Sequence, residues 1–315
     1  MAVLELNNPD GKNVASVHQE LTITLAIASA NRREILEEVI PHIQEQTRLP
    51  DNIIICAPSK NDIPSDSFSR LNCKVQELVS ERGLCRQRNA ILAEARDADI
   101  VLFLDDDFLM ASDYLENLEV FFRIHIDVVM STGSVLADGI LGPGFSVNDG
   151  LQILNVSQNS PAIENTSYVQ IYNCYGCNMA IRMDSIRNSS IVFDENLPLY
   201  GWLEDVDFSR QVAPFGKIVR AACLRGVHLG TKVGRTPGER LGYSQIANPI
   251  YLLGKNTMSF RHMSIQLTRN FVANFTKVVR PEPWVDRRGR LRGNMKAVGD
   301  LIRGKLSPEN VLAME

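Results

Sequence analysis

The sequence predicts an α/β chain built on a largely parallel sheet, and three observations carry that expectation. From Leu21 to Ser131, strand-like runs alternate with amphipathic segments in a β-α-β-α-β order, the pattern of crossover-connected parallel strands. Ile100–Leu104 is apolar at every residue, as a strand covered on both faces requires. With 315 residues, 44% of them apolar, the chain can bury a sizeable core in about two domains or two halves sharing one sheet.

Leu21–Ala28 alternates Thr with Ile and Leu and then runs apolar, which reads as a strand entering a buried sheet. Asn31 is placed to cap the next helix, with Glu34 three residues on. Ile35, Leu36, Val39, Ile40 and Ile43 fall on one face of that helix, and Pro41 predicts a kink in it. Ile53–Ala57 is a second strand, closed by Pro58. A helix is expected from Leu84 to Ala95, then the strand Ile100–Leu104, which ends in Asp105, Asp106 and Asp107. Ser112 is a candidate cap for a helix that turns Leu115, Leu118, Phe121 and Phe122 inward, and Val128–Ser131 reads as a strand. Residues Ala137–Gln170, rich in Gly, Asn, Asp and Ser, read as loops and hairpins and mark a boundary. Beyond it lie a strand at Tyr168–Asn173, a helix from about Asp184, the acidic stretch Glu204–Asp207, and a strand near Lys217–Ala222. Gly226–Gly242, with five glycines and Lys232, Arg235 and Arg240, reads as a mobile basic loop.

Composition removes several classes. The 20 Gly and 14 Pro are scattered and no repeat period is visible, which excludes collagen-like and solenoid architectures. No apolar run approaches the ~20 residues of a membrane helix. Residues 1–20 lack the charged start and apolar core of a secretory signal, so the expected location is the cytoplasm, where six irregularly spaced cysteines are reduced core thiols. Cys174 and Cys177 have no second Cys/His pair at zinc-binding spacing. The net charge of −4 is uneven: residues 261–315 hold eleven Lys and Arg against five acids. That basic end is either a solvated helical face or a contact for an anionic membrane. With few stacking aromatics among its arginines, it does not indicate nucleic acid.

Three constellations bear on chemistry. Three successive carboxylates at the end of a buried parallel strand stand where open α/β sheets bind ligands. Hard oxygen donors suit Mg²⁺ or Mn²⁺, although a solvated turn capping the next helix gives the same triplet. In Tyr200–Asp207, helix capping explains one or two of the three acids. It does not explain Trp202, a flat ring of the kind that stacks on a sugar. His228, between an apolar strand and the basic loop, is either a satisfied core histidine or a further ligand to the same ion.

Taken in order, these segments resemble the inverting family 2 glycosyltransferases of the GT-A fold, of the bacterial polysaccharide type. Thr22–Arg33 is similar to the family's opening strand and Asn-Arg turn, and Gly83–Asn89 to its Gly-x-x-x-x-Arg-Asn segment. Leu104–Asp107 resembles its Asp-x-Asp motif, Gly176–Ala180 its Gly-x-Asn-Met-Ala strand, Phe193–Phe208 its Phe-Asp-Glu-x-Leu to Glu-Asp-x-Asp stretch, and His228 its late metal-binding histidine.

The resemblance implies a Rossmann-like, mainly parallel sheet flanked by helices, with a smaller acceptor-side subsheet and a C-terminal helical extension. It divides the chain into an extension at 1–20, a nucleotide-sugar-binding half at 21–136, an acceptor-binding and catalytic half at 137–230, and a mobile basic loop with a helical, basic end at 231–315. It implies a metal, Mn²⁺ or Mg²⁺, on Asp105, Asp107 and His228; donor binding by Ser29, Arg32, Arg88, Asp105, Asp106 and Arg235; acceptor binding by Trp202 and Glu204; and Asp205 as general base. The donor is a nucleotide-diphosphate sugar, with a UDP-sugar expected first, and the acceptor a saccharide or lipid-linked saccharide. One departure bears on the base: where many members carry paired aspartates after the second strand, this chain has Ala57 and Pro58. A nucleotidyl or phosphoryl transferase would use a similar acid and metal set, and a sugar-nucleotide or polysaccharide-binding module could share the fold without turnover.

Overall fold

The computed structural model describes residues 20–158, 166–234 and 236–314. Strands β1 (Ile23–Ala28), β2 (Asn52–Ala57), β3 (Lys74–Val79) and β4 (Ile100–Leu104) form a parallel half-sheet in the order β3-β2-β1-β4. It continues through β8 (Asn178–Arg182), β6 (Val128–Asp138), β9 (Lys217–His228) and β5 (Phe108–Met110), and β7 (Tyr168–Gln170) also pairs with β9. In this second half β6 and β9 run parallel, while β8, β5 and β7 pair antiparallel with their neighbours.

Alternate residues of the central strands feed two cores. Ile23, Leu25, Ile27, Ile100, Leu102 and Leu104 face one side, where α1 (Arg33–Val39) and α4 (Tyr114–Ile124) pack. Ala26, Ile54, Val101 and Phe103 face the other, against α3 (Leu84–Glu94) and α6 (Glu204–Val212). That two-sided burial is why β1, β2 and β4 read as nearly continuous apolar runs. All four inward residues expected of α4, Leu115, Leu118, Phe121 and Phe122, are fully buried. The six cysteines are free thiols, five of them buried. After β9, α7 (Gly238–Gly254), α8 (Phe260–Lys277) and α9 (Arg287–Ile302) form a C-terminal helical unit. Among the described residues no helix is long and apolar enough to cross a membrane.

Several local expectations are corrected. Asn31 does not cap α1: it adopts a left-handed φ of 56°, and Arg32 holds the cap position without a side-chain cap bond. Pro41 ends the α-helical geometry, and the chain continues as a 3₁₀ helix over Ile40–Glu45. Asp113, not Ser112, occupies the cap position of α4, and its carboxylate accepts a bond from Arg225 instead. Ala137–Gln170 is not all loop, for it holds α5 (Val147–Gln158). The helix expected from Asp184 is a single 3₁₀ turn, Met183–Ser185. The basic glycine-rich stretch is shorter than expected, because β9 runs on to His228 and α7 opens at Gly238.

Candidate active site

The site forms where the C-terminal ends of β4, β6 and β9 meet the N-terminus of α6. Glycine makes this convergence possible. A Cβ at Gly226 would stand 2.2 Å from the Phe108 ring, so only glycine lets β5 lie across β9 and bring Phe108 opposite His228. At Gly230, φ is +66° and a Cβ would stand 2.2 Å from the carbonyl carbon of Gly139, so the chain after His228 can turn tightly against the end of β6.

The three aspartates after β4 point to different partners. Asp106 is buried; it accepts from Ser29 Oγ at 2.6 Å and pairs with the Arg32 guanidinium. Burial raises its pKa to about 7 against the pull of Arg32. Asp107 is buried too: its Oδ2 accepts from Thr231 N at 2.7 Å and Arg32 Nη2 at 3.3 Å. Burial acts against ionisation of Asp107, yet the neighbouring His228 ring, the Arg32 charge and the bond from Thr231 outweigh it and lower the pKa. Its Oδ1 is buried with no hydrogen-bond partner and lies 3.4 Å from His228 Nε2. Asp105, about a third exposed, places Oδ2 3.8 Å from the same Nε2.

One ligand atom from each of Asp105, Asp107 and His228 falls within 4.8 Å of the others. Two carboxylate oxygens and an imidazole nitrogen, with an orphaned buried oxygen aimed among them, fit a divalent cation such as Mn²⁺ or Mg²⁺. The imidazole is oriented from behind: Nδ1 lies 2.9 Å from Asp138 Oδ1, and Asp138 also accepts from Tyr175 Oη at 2.9 Å and Ile140 N at 3.1 Å. Although burial opposes its charge, the nearby Asp107 carboxylate and the bond to Asp138 raise the His228 pKa to about 10.

Arg88 joins this triad to Glu204 of α6. Nearly fully buried, it donates from Nη1 to Glu204 Oε1 at 2.7 Å, and from Nη2 to Gly176 O at 2.9 Å and Asp105 Oδ1 at 3.4 Å. Phe103 and Phe193 lie 5.5 and 5.4 Å from its guanidinium carbon. Burial and the neighbouring Asp205 raise the Glu204 pKa to about 8 despite Arg88. Asp205 accepts from Gly176 N at 3.1 Å and its own helix's Val206 N at 2.8 Å, while burial raises its pKa. Trp202, half-buried, packs against the α6-side core, and its carbonyl accepts from Asn248.

Asp207, the last acid of the stretch, faces away from the cleft. It is fully buried and bound to Lys255 at 2.8 Å and Thr257 at 2.6 Å, tying α6 to the end of α7. Asn178 is similarly structural, with its Oδ1 accepting from Gly133 N and the Thr132 hydroxyl of β6.

The structure thus gathers Ser29, Arg32, Arg88, Asp105, Asp106, Asp107, Glu204, Asp205 and His228 into one network, while Trp202, two residues before Glu204, packs on the α6-side core. Arg235 lies outside the described residues. Arg32 also donates to the carbonyls of Thr231 and Val233, and so holds the chain after β9 against the acids. Sequence reasoning missed Asp138, Tyr175 and Gln87. Gln87 donates to the carbonyls of Ser29 and Cys56 and locks the ends of β1 and β2 together; it sat unremarked inside the Gly83–Asn89 segment. Nothing in the local pattern signals Asp138.

Residues 24–189 match the family described as "Glycosyl transferase family 2". A search of the curated proteins finds no match. In structure, the chain is similar to residues 1–349 of S. aureus TarS in complex with UDP-GlcNAc, with a TM-score of 0.54 at 15% identity over 93% of this chain and 84% of that one. It spans 44% of the longer S. aureus TarS chain. It is likewise similar to the mannosyltransferase PcManGT from Pyrobaculum calidifontis in complex with GDP-Man and Mn²⁺, with a TM-score of 0.53 at 13% identity over 94% of this chain and 86% of that one. With the family matched over more than half its length, and its sheet and helices arranged as in these glycosyltransferases, the chain belongs to glycosyl transferase family 2 and has the GT-A fold.

Proposed function

We propose that this protein transfers a sugar, with inversion, from a nucleotide-diphosphate donor to a hydroxyl of a saccharide or lipid-linked acceptor. One observation carries the reading: Arg88 bridges Asp105 of the Asp105–Asp107–His228 triad to Glu204 and to the carbonyl of Gly176, whose N–H donates to Asp205, so a cluster able to hold a cation lies beside a pair of carboxylates. The bound UDP-GlcNAc of the TarS structure and the GDP-Man and Mn²⁺ of PcManGT support a donor of this class and leave its base open. On this reading residues 21–136 serve the donor and 137–230 the acceptor.

Asp105, Asp107 and His228 would hold Mn²⁺ or Mg²⁺, which when bound supplies positive charge to a leaving diphosphate. Ser29 and Arg32 orient the nucleotide side of the donor, and Arg32 trades its carboxylate partners for phosphate oxygens. Glu204, anchored by Arg88, accepts a hydrogen bond from the acceptor, and Trp202 offers a ring face to its sugar. Asp205 takes the proton of the attacking hydroxyl. The oxygen then bonds to the anomeric carbon on the face opposite the diphosphate, and the bond from that carbon to the phosphate oxygen breaks. Its raised pKa makes Asp205 a better base than an exposed aspartate.

The test is calorimetric binding of a panel of nucleoside diphosphates, UDP first, with and without Mn²⁺, to the wild type and to Asp107→Asn. One nucleotide binding only with metal and only to the wild type supports the reading. Binding indifferent to both metal and substitution refutes it and favours a non-catalytic binding module. Release of phosphate or pyrophosphate in place of an intact nucleoside diphosphate during turnover would instead identify a phosphoryl or nucleotidyl transferase.

A further inference from the structure

Outside the cleft, the outer face of α8 has a pattern that folding does not account for. The helix packs inward through Met263 and the buried Asn274, whose amide donates to Gln245 and Asn294. On the opposite side, Arg261, Ile265, Arg269, Val272 and Phe275 recur at steps of three or four residues and are all exposed, and the exposed Val279 follows in the bend after the helix. Phe275 is 61% and Val279 82% exposed. Phe271 stacks beside Phe275 with ring centroids 6.3 Å apart, which widens the apolar patch.

The surface continues past the helix. Arg280 is exposed, and Trp284 donates from its indole nitrogen to the carbonyl of Leu141 at 3.3 Å. Leu141 is 85% exposed and lies three residues beyond Asp138, the carboxylate that orients His228. The apolar surface is thereby tied to the turn after β6, the strand whose last residue orients His228.

A helix face kept for water does not place Ile, Val and Phe on successive turns. A self-complementary contact with a second copy would set Arg261, Arg269 and Arg280 against like charges. Apolar residues at helical spacing among arginines, with a tryptophan at one end, match a helix lying in the plane of a bilayer interface. The excess of eleven basic over five acidic residues in 261–315 specifies an anionic surface.

We propose that the outer face of α8 and the connection to α9 dock on an anionic lipid bilayer, with the cleft mouth beside the lipid surface. Docking requires no turnover, so its failure and failure of the transferase reading are separately detected. The experiment is co-flotation of the full chain with vesicles of phosphatidylcholine alone or mixed with phosphatidylglycerol. Binding is expected only to the mixed vesicles, weakened about tenfold by raising ionic strength toward 1 M, where charge screening is short-ranged. A comparable loss is expected in Val272→Glu/Phe275→Glu, and separately in Arg261→Gln/Arg269→Gln/Arg280→Gln, whose exposed positions leave the fold intact. Equal binding to both vesicle types, no binding, or undiminished binding by the arginine variant overturns the proposal. So does a dimer in sedimentation velocity that Val272→Glu/Phe275→Glu dissociates, which would make a second copy the occupant.

Discussion

Asp138 offers the sharpest check on the metal corner, because it touches His228 without being among the three grouped ligands. Its Oδ1 meets His228 Nδ1 at 2.9 Å and Ile140 N at 3.1 Å, while Oδ2 accepts from Tyr175 at 2.9 Å. In Asp138→Asn the amide oxygen can keep the first two contacts and the tyrosine hydroxyl can turn to accept from the amide nitrogen. The fold is retained and the negative charge behind the imidazole is lost. Removing such a partner typically costs about 10–100-fold in the metal affinity of the neutral imidazole, or about 1.4–2.7 kcal/mol, so affinities are compared after correction for the proton each variant releases. Asp138→Ala, which also frees the ring to rotate, should cost more than Asp138→Asn. Calorimetry of Mn²⁺ binding to wild type, both variants, His228→Ala and His228→Ala/Asp138→Asn measures the coupling. If Asp138 acts through the imidazole, Asp138→Asn adds nothing once His228 is gone. Additive losses, or wild-type affinity in Asp138→Asn, would refute the reasoning.

Without metal, Asp106, Glu204 and His228 retain protons in the fold to about 7, 8 and 10, above their unfolded values. From these three groups the native state binds more protons than the unfolded state between about pH 4 and 10, and their contribution to stability falls as pH rises through that window; thermal melts across it would reveal a wrong sign as a rising Tm. Because a coordinating imidazole must be neutral, Mn²⁺ affinity should rise about tenfold per pH unit between about pH 7 and 9, with one proton released per ion. Calorimetry in buffers of different ionisation enthalpy counts that proton. Arg88→Leu removes the buried donor to Glu204 and to the Gly176 carbonyl and should cost about 1–3 kcal/mol for each group left unpaired in urea denaturation, a loss Arg88→Lys will not restore, since one ammonium lacks the guanidinium's span. Asp205→Asn should lower the transfer rate by about 10²–10⁴-fold with nucleotide binding unchanged; a rate near wild type removes it from the role of base.

The parts of the fold legible in the sequence were those where burial imposes one pattern. Ile100–Leu104 is apolar at every residue because both faces of β4 are covered, and α4 shows its inward residues because only one side is. Helix α5 was hidden because its own residues, among them Asn148, Asp149, Gly150, Asn155 and Ser157, favour turns. Leu154 and its neighbours hold it by packing on Leu109, Val227 and Leu229, contacts that no local window contains. Edge strand β3 was missed since its residues stay partly or fully exposed and carry Lys74 and Glu77. In the site, the acids, Arg88 and His228 were visible as residue types at strand and helix ends. Asp138 was not, for it reaches His228 only because the polar second half of β6 pairs with β9 across ninety positions of sequence. Nor could the pattern separate Asp205 from Asp207, two residues apart on one helix, of which one faces the cleft and the other anchors Lys255.

Arg88 has a consequence of its own. One guanidinium serves as counter-charge to both Asp105 and Glu204, which the proposed function sets on the donor and acceptor sides of the cleft. A ligand that draws Asp105 away leaves Arg88 more fully to Glu204 and favours its ionised form, the form that accepts a hydrogen bond from an incoming hydroxyl. Such coupling is reciprocal by thermodynamic necessity: whatever factor donor binding adds to acceptor affinity, acceptor binding returns to the donor. On the proposed reading the two halves of the cleft would form one electrostatic unit, each sensing the other's occupancy through a single charge without either half having to move.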